Sequence, residues 1–321
     1  MPAILAHEAW FTDARPGYDW GFAADPASLV FIVAAVAIAL VWRFAARLMP
    51  TPELGFLRPL GRLSPWIPRL LAIHAGVSLL AQSTRGTYLA PSLDLPSNEF
   101  GTTLAIVEGV TGVWLITGFR IRAAALLLIL AGPVGMIAYG IVPILERIDL
   151  LGIALFIAIL PPEETPGGAV HAPKEVVARA LFALRVLVGL SLIVLALTEK
   201  LARPDLALAF LDRYPFFNVL SGLGVSAEEF IRFAGAIELL FGLLILSGSM
   251  PQFAVIAAGI PFNATLFFLG ASELIGHLPI YGAMLALLVY GSDPKIAPLV
   301  PGFPRLRIPV AAKAGGPVEN R

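Results

Sequence analysis

The chain contains no cysteine among its 321 residues. It therefore has no disulfide, no thiolate-bound zinc or iron–sulfur cluster, no cysteine nucleophile and no CxxC redox centre. If electrons move through this protein, a bound cofactor or a partner subunit must carry them. We expect no covalently bound cofactor and no metal site.

Charged residues are also scarce, at 14% of the chain, and the formal net charge is +0. A soluble domain is nearer a quarter charged, because its surface must be solvated. Nucleic-acid binding needs a concentrated basic surface, and this chain offers no electrostatic case for it, so we expect no nucleic-acid partner. The mean hydropathy is +0.85, so water cannot be the solvent for most of the chain.

The sequence instead contains several long apolar runs. A helix needs roughly 17–25 mostly apolar residues to cross a bilayer, and backbone groups in lipid must pair within their own segment. The chain is therefore predicted to be an all-α, polytopic transmembrane bundle of about nine spans, with membrane lipid as a partner. Two of the runs, 70–82 and 150–160, are short. The clear ones are 28–42, 102–119, 123–142, 176–197, 231–246, 253–269 and 278–290.

The segments between the spans predict an orientation. Residues 1–26 lack the cationic start and apolar core of a secretory signal, so we expect an external segment before an uncleaved anchor. Arginine and lysine concentrate in alternate loops and in the tail, which places the N-terminus outside and the C-terminus in the cytoplasm. Trp10, Phe11 and Trp20 are expected in an interfacial aromatic belt.

The two halves of the chain share a pattern of residues. The spacing from Glu108 to Glu238 carries four further residues onto identical ones, and a short gap is needed only to match Glu146 with Glu273. The four pairs are Gly112 and Gly242, Gly118 and Gly248, Gly152 and Gly282, and Leu155 and Leu285. This pattern predicts two parallel four-helix repeats behind one N-terminal helix. The alternative is the generic small-residue composition of packed membrane helices.

The duplication predicts the domain boundaries. An external segment and a first transmembrane helix precede the two units. A cytoplasmic linker follows the first unit, and a cytoplasmic tail follows the second. The predicted ranges are 1–26 for the external segment, 27–50 for the first helix, 51–160 and 176–292 for the two four-helix units, 161–175 for the linker and 293–321 for the tail.

Ionisable side chains inside membrane spans are costly and are therefore candidate functional groups. Polar residues of the second half are expected to converge on one outward-facing pocket. The candidate catalytic residues are Glu238, His277 and Lys200, and the candidate ligand-binding residues are Glu199, Asn263, Glu273 and, in the first half, Glu108. A quinone head group suits this set, because its carbonyl needs a donor and its chemistry needs a proton-exchanging carboxylate. The alternatives are glutamates that staple helices together and an interfacial Glu199–Lys200 ion pair.

The second half resembles the DoxX family, and the first half resembles the same unit more faintly. The second-half residues are Arg185, Gly189, Glu199, Lys200, Glu238, Gly242, Gly248, Glu273 and His277; those of the first half are Arg69, Glu108, Gly109, Gly118 and Glu146, without the lysine. The resemblance implies a bacterial inner-membrane protein with a quinone-linked or redox-associated role. Some proteins of that family are similar to the membrane subunit of a thiosulfate:quinone oxidoreductase, and others are accessory components of redox-stress complexes.

Two functions follow as hypotheses. The first is a membrane subunit of a quinone-linked oxidoreductase, working with a partner redox subunit. The second is a non-enzymatic scaffold, assembly factor or small-solute transporter. Broken helices at matching repeat positions would favour a transporter, and Pro133 and Pro261 fall near equivalent places.

Overall fold

The computed structural model describes residues 7–161 and 169–299, which form a bundle of long helices. Eight of these helices are long and apolar enough to cross a membrane, and Ile148–Ile159 is a shorter apolar helix. The predicted all-α membrane bundle is thereby confirmed. Parts of the predicted external segment, linker and tail, namely residues 1–6, 162–168 and 300–321, lie outside the described residues.

Ten α-helices of ten or more residues make up the described bundle. They are α1 (Pro26–Ala45), α2 (Ile67–Arg85), α3 (Glu99–Thr117), α4 (Ile121–Tyr139), α5 (Ile148–Ile159), α6 (Lys174–Leu195), α7 (Pro204–Arg213), α8 (Ala227–Ser247), α9 (Pro251–Leu269) and α10 (Ala271–Ser292). A π-helical turn, Ala196–Leu201, continues α6.

Shorter elements connect these helices. Between α2 and α3 lies an antiparallel hairpin of β1 (Thr87–Tyr88) and β2 (Ala90–Asp94), which the apolar runs do not predict. Another connecting element is a 12-residue 3-10 helix, Gly55–Trp66. The short helices are Glu8–Trp10, Trp20–Ala24, Ala46–Leu48, Ile141–Leu145, Pro215–Phe217, Ser221–Leu223 and Ala297–Leu299.

The outer surface of the bundle is apolar, whereas ionisable groups lie inside it. Ile137 and Phe267 are 85% and 84% exposed, while Glu108 and Glu238 are buried. A soluble protein shows the reverse distribution, because water must solvate its surface. Hydrocarbon around the helices accounts for this surface.

Local sequence signals fix the ends of α8, the helix that carries Glu238. At its start, the Ser226 side chain accepts from the backbone of Glu229, and the Glu229 side chain accepts from the backbone of Ser226. This capping box satisfies two otherwise unpaired N–H groups. At its end, Gly248 adopts the left-handed conformation, as Gly118 does at the end of α3. Both helices therefore end at a glycine in the left-handed conformation.

Backbone conformations recur in the two halves at one spacing. Three pairs of residues with positive φ are each 130 residues apart: Gly118 and Gly248, Arg120 and Met250, and Gly140 and Gly270. At the same spacing, α4 and α9 have equal lengths. Shared composition alone would not reproduce these turns, so the recurrence supports the duplication.

From Gly118 to Gly140 the spacing between the halves stays at 130 residues, and Gly152 and Gly282 keep it, contrary to the gap expected for Glu146 and Glu273. It places Glu146 opposite Gly276 instead. The first half breaks near Glu146, between Ile141–Leu145 and α5, while α10 is continuous over the matching stretch. Glu146 and Glu273 are therefore not equivalent residues.

Glycine pairs allow the first and second helices of each half to cross closely. A Cβ at Gly112 would lie 2.8 Å from the carbonyl oxygen of Gly76, where α2 meets α3. A Cβ at Gly242 would lie 2.9 Å from the carbonyl oxygen of Gly189, where α6 meets α8. Small residues at such crossings let two backbones touch.

The fourth helix of each half packs on the first helix of the other half. Gly152 of α5 faces Leu184 of α6, and Gly282 of α10 faces His74 of α2. The two halves are therefore joined crosswise, and α1 packs on the outside of α8. This exchange brings the start of α5, in the first half, to the polar residues of the second half.

Candidate functional site

Three of the predicted residues meet where α6 ends and α8 passes. The π-helical turn after α6 carries Glu199 and Lys200, and α8 carries Glu238. The Nζ atom of Lys200 lies 2.9 Å from Oε2 of Glu238, with both side chains buried. Gly235 permits this approach, because a Cβ there would lie 3.2 Å from the Cβ of Lys200.

The first turns of α10 bring two more predicted residues to the same end of the bundle. Nδ1 of His277 lies 3.3 Å from Oε1 of Glu273, one helical turn away, and both side chains are fully buried. The ring of Phe262 from α9 packs against His277, with ring centroids 4.9 Å apart. The pair is thus enclosed by protein and directed into the bundle.

The chain preceding α1 covers these groups, which the sequence pattern did not predict. We call residues 7–11 the N-terminal segment. Lys200 Nζ contacts both carboxylate oxygens of Glu8, at 3.1 and 3.2 Å. His7 Nδ1 lies 3.4 Å from Oε2 of Glu199, and the ring centroids of His7 and His277 are 4.7 Å apart.

The aromatic residues of this region do not form the expected belt. The indole of Trp10 stacks on His7 at 3.9 Å and lies against the backbone of Gly276. Phe11 packs on Phe210 of α7, and Arg213 Nη1 donates to the Phe11 carbonyl at 3.0 Å. Only Trp20 of the three stands exposed. The belt interpretation is therefore wrong for Trp10 and Phe11.

The start of α5 adds charged groups from the first half. Arg147 Nη2 donates to the Gly276 carbonyl at 3.2 Å. Oε1 of Glu146 accepts from Thr198 at 2.7 Å and from Arg203 at 3.0 Å. Sequence reasoning treated Arg147 and Arg203 only as loop cations, because a position in a loop does not show which way a side chain points.

We refer to this connected set of groups, all of them buried except the partly buried Arg203, as the charged cluster. It consists of Glu8, Glu146, Asp149, Glu199, Glu238 and Glu273, the cations Lys200, Arg147 and Arg203, and the imidazoles of His7 and His277. Six carboxyl groups thus face three permanent cations. Unpaired buried carboxylates are strongly unfavourable, so a set with this excess of carboxyl groups is suited to binding protons.

The N-terminal segment shows the direction of this effect. Burial raises the pKa of Glu8 to about 7, although the neighbouring Lys200 ammonium opposes the shift. Burial, together with nearby His277 and Arg147, lowers the pKa of His7 well below its usual value. His7 is therefore neutral near pH 7, while Glu8 is poised to gain or lose a proton.

Two predicted ligand-binding residues lie outside the charged cluster. The expectation that Asn263 joins the pocket is wrong: its side chain is exposed on α9 and donates to the Gly259 carbonyl at 2.7 Å. Oε1 of Glu108 accepts from the backbone N–H of Leu89 at 2.8 Å and so holds the β1–β2 hairpin. Leu89 has a positive φ, so Glu108 anchors an unusual backbone turn.

Asn263 instead lines a lateral cleft of about 440 Å³ between α9 and α10. The other lining residues are apolar except Tyr281, whose hydroxyl donates to the Phe262 carbonyl at 3.0 Å. The rings of Tyr281 and Phe262 both face His277. One layer of aromatic side chains therefore separates the cleft from the charged cluster.

The charged cluster itself is filled by protein. Beside Glu8 and Lys200 lies a cavity of about 10 Å³, about the space that one water molecule needs. Comparison of the chain with known protein families, with curated proteins and with solved structures gives no match. The chemistry of the site is therefore argued from its own residues.

Proposed function

We propose that the chain is a membrane subunit of a quinone-linked oxidoreductase system, in which the charged cluster supplies and takes up the protons. One observation carries this proposal. Lys200 is buried between Glu8 and Glu238 within a set of groups that has more carboxyls than permanent cations. Buried ionisable groups in a membrane bundle are costly, so their retention favours a role in proton exchange.

The stoichiometry of quinone reduction indicates which components must supply the electrons and the protons. Reduction of a quinone to a quinol consumes two electrons and two protons. The protons come from the charged cluster, and the electrons come from a partner redox subunit, since this chain has no cysteine to ligate an iron–sulfur cluster. The DoxX resemblance supports the same assignment.

The lateral cleft supports a lipid-soluble substrate. It opens on the apolar outer surface, and one aromatic layer separates it from His277. An isoprenoid tail in this cleft would keep its head group close to the charged cluster. Transport by broken helices has less support, because α4 and α9 run unbroken through Pro133 and Pro261.

The proposed setting is a bacterial inner membrane, with the charged cluster in the outer leaflet. The distribution of arginine and lysine between loops supports this orientation through the positive-inside rule. Reporter fusions within the linker 161–175 test it. If the linker lies outside the cell, the proposed orientation of the chain in the membrane is wrong.

The test of function uses the purified protein in lipid nanodiscs. Extraction of the lipids is expected to yield bound quinone. In intact nanodiscs, reduction of that quinone with reduced methyl viologen, whose oxidation releases no proton, is expected to draw protons from a weakly buffered solution. In Glu238→Gln we expect the rate of proton uptake to fall by at least about tenfold, as for the loss of one acid–base group. The matched control is Glu108→Gln, at the equivalent position of the first half, which should leave the rate of proton uptake unchanged. A protein that neither retains nor binds quinone would contradict the proposal.

A further inference from the structure

The indole of Trp10 occupies a narrow slot between the starts of α5 and α10. Gly276 forms one wall, and a Cβ at this position would lie 2.2 Å from Cζ3 of Trp10. The ring of His277 lies 4.9 Å from the indole, and the guanidinium carbon of Arg147 lies 5.9 Å from it. The stacked ring of His7 covers the slot. The space is therefore shaped for one planar ring.

Several nitrogen atoms around this slot lack a hydrogen-bond acceptor among the described residues, although Arg147 Nη2 donates to the Gly276 carbonyl and His277 Nδ1 lies beside Glu273. Arg147 is 4% exposed, yet its Nε and Nη1 atoms have no hydrogen-bond acceptor among the described residues. Nε2 of the fully buried His277 likewise has no partner there. An indole can only donate a hydrogen bond, so Trp10 cannot accept from a guanidinium. Buried donors are normally satisfied, which points to an occupant that carries acceptors.

We propose that this slot is the subsite for the planar head group of the quinone, and that Trp10 holds its place in the unbound protein. This inference rests on the proposed function. A quinone ring is planar and comparable in size with an indole, and its carbonyl oxygens lie at the edge of the ring. Arg147 and His277 can donate to those oxygens, which an indole does not offer.

The position of the slot agrees with the lateral cleft. Phe262 and Tyr281 line the boundary between them, and both rings face His277. A head group in the slot can therefore keep its tail in the cleft after these two aromatic side chains rotate. The substrate would then enter from the membrane and not from water.

Binding in the slot also changes the charged cluster. Trp10 belongs to the same short helix as Glu8, so displacement of the indole withdraws Glu8 from Lys200. The head group thereby replaces the N-terminal segment as the neighbour of the proton-holding groups. Binding of the quinone head group in the subsite and exposure of Lys200 to that head group therefore occur together.

The experiment measures binding of a decyl-tailed benzoquinone to the full chain in nanodiscs by equilibrium dialysis. Trp10→Ala removes the competing indole, so we expect about tenfold tighter binding, since apparent affinity scales with the open fraction. Arg147→Gln removes the charged donor and should weaken binding about tenfold. The control is Trp20→Ala, an exposed tryptophan outside the slot, which should bind like the unaltered chain.

The outcomes separate the two proposals. If the quinone binds, but neither Trp10→Ala nor Arg147→Gln changes its affinity, the slot is not the subsite and the proposed function stands. Binding by none of the variants, nor by the unaltered chain, would overturn the proposed function itself. Where Trp10→Ala does not fold, Trp10→Phe gives the same reading, because the smaller ring competes less well. Unchanged affinity in a folded Trp10→Phe protein counts against the slot.

Discussion

The ammonium of Lys200 lies 2.9 Å from Oε2 of Glu238, and the two side chains join α6 to α8 inside the bundle. Neither partner has access to bulk water, since both are at most 3% exposed. Breaking such a pair from one side leaves a buried charge uncompensated, which is more damaging than losing a surface ion pair. Mutation of either partner should therefore have a measurable effect on stability.

Lys200→Met is expected to destabilise the protein by about 3–5 kcal/mol, because it leaves Glu8, Glu199 and Glu238 without their shared cation. The loss should shrink at lower pH, where the carboxyl groups take up protons. Thermal unfolding in detergent at pH 5 and pH 8 measures both effects. Lys174→Met, an exposed lysine at the start of the same helix, is the control. Equal stability of the two variants at pH 8 would contradict the prediction.

Attachment of the N-terminal segment should weaken as pH rises. Burial raises the pKa of Glu8 to about 7 from the model-peptide value of 4.5. A carboxyl group whose pKa is higher in the bound state favours that state below about 4.5, and the advantage is lost as pH rises through about 7. The groups facing Glu8 include Lys200, Glu199 and Glu238, so the carboxylate remains partly paired.

A spin label reports this release, because the chain has no native cysteine to compete for labelling. With Asp13→Cys labelled, the mobility of the label is expected to increase between pH 5 and pH 8. Glu8→Gln should flatten the dependence, since an amide does not titrate in this range. A pH response that persists unchanged in Glu8→Gln would assign it to another group.

The crossing of α6 and α8 should tolerate no added methyl group. Gly242→Ala places a Cβ 2.9 Å from the Gly189 carbonyl oxygen, so we expect a loss of about 1–3 kcal/mol from overpacking. Gly132→Ala is the control, because nothing lies within 4 Å of a Cβ in the middle of α4. That variant should be neutral or up to about 1 kcal/mol more stable. Denaturant titration of both proteins distinguishes these outcomes.

Glu108 is predicted to matter for stability and not for quinone chemistry. Glu108→Leu removes the acceptor of the buried Leu89 N–H, which should cost about 1–3 kcal/mol. Hydrogen exchange of the β1–β2 hairpin should accelerate, while quinone binding stays unchanged. If a folded Glu108→Leu protein no longer binds quinone, Glu108 takes part in the functional site and the prediction is wrong.

The sequence predicted the features that depend on long apolar runs and on the repeat. It predicted the bundle, and it predicted the meeting of Lys200 with Glu238, because residues at one depth on neighbouring helices can touch. The duplication stays a prediction, which the recurring turns support. Sequence reasoning failed for Asn263, since a helix that is apolar on every face gives no sign of which side turns to lipid. It also failed for the partner of Glu146, because the glutamate match suggested a gap that the backbone does not have.

The N-terminal segment was beyond prediction for a different reason. His7, Glu8 and Trp10 lie in a short polar stretch without periodicity, and such a stretch does not show what it covers. Its burial depends on shape at a distant position, the missing side chain of Gly276. Arg147 was missed likewise, because only the crosswise packing of the halves carries it to α10.

That crosswise packing has a consequence for the origin of the chain. Taken alone, one four-helix unit would leave the glycine face of its last helix uncovered, so its ancestor would have needed a second copy of itself. If the two halves arose by duplication, the chain corresponds to two such units joined by a linker. Tethering would let each copy diverge: Gly189 corresponds to Gly76 at the helix crossing, and the 113-residue spacing of this pair of glycines carries Lys200 onto Thr87. One half could retain the chemistry while the other became its scaffold.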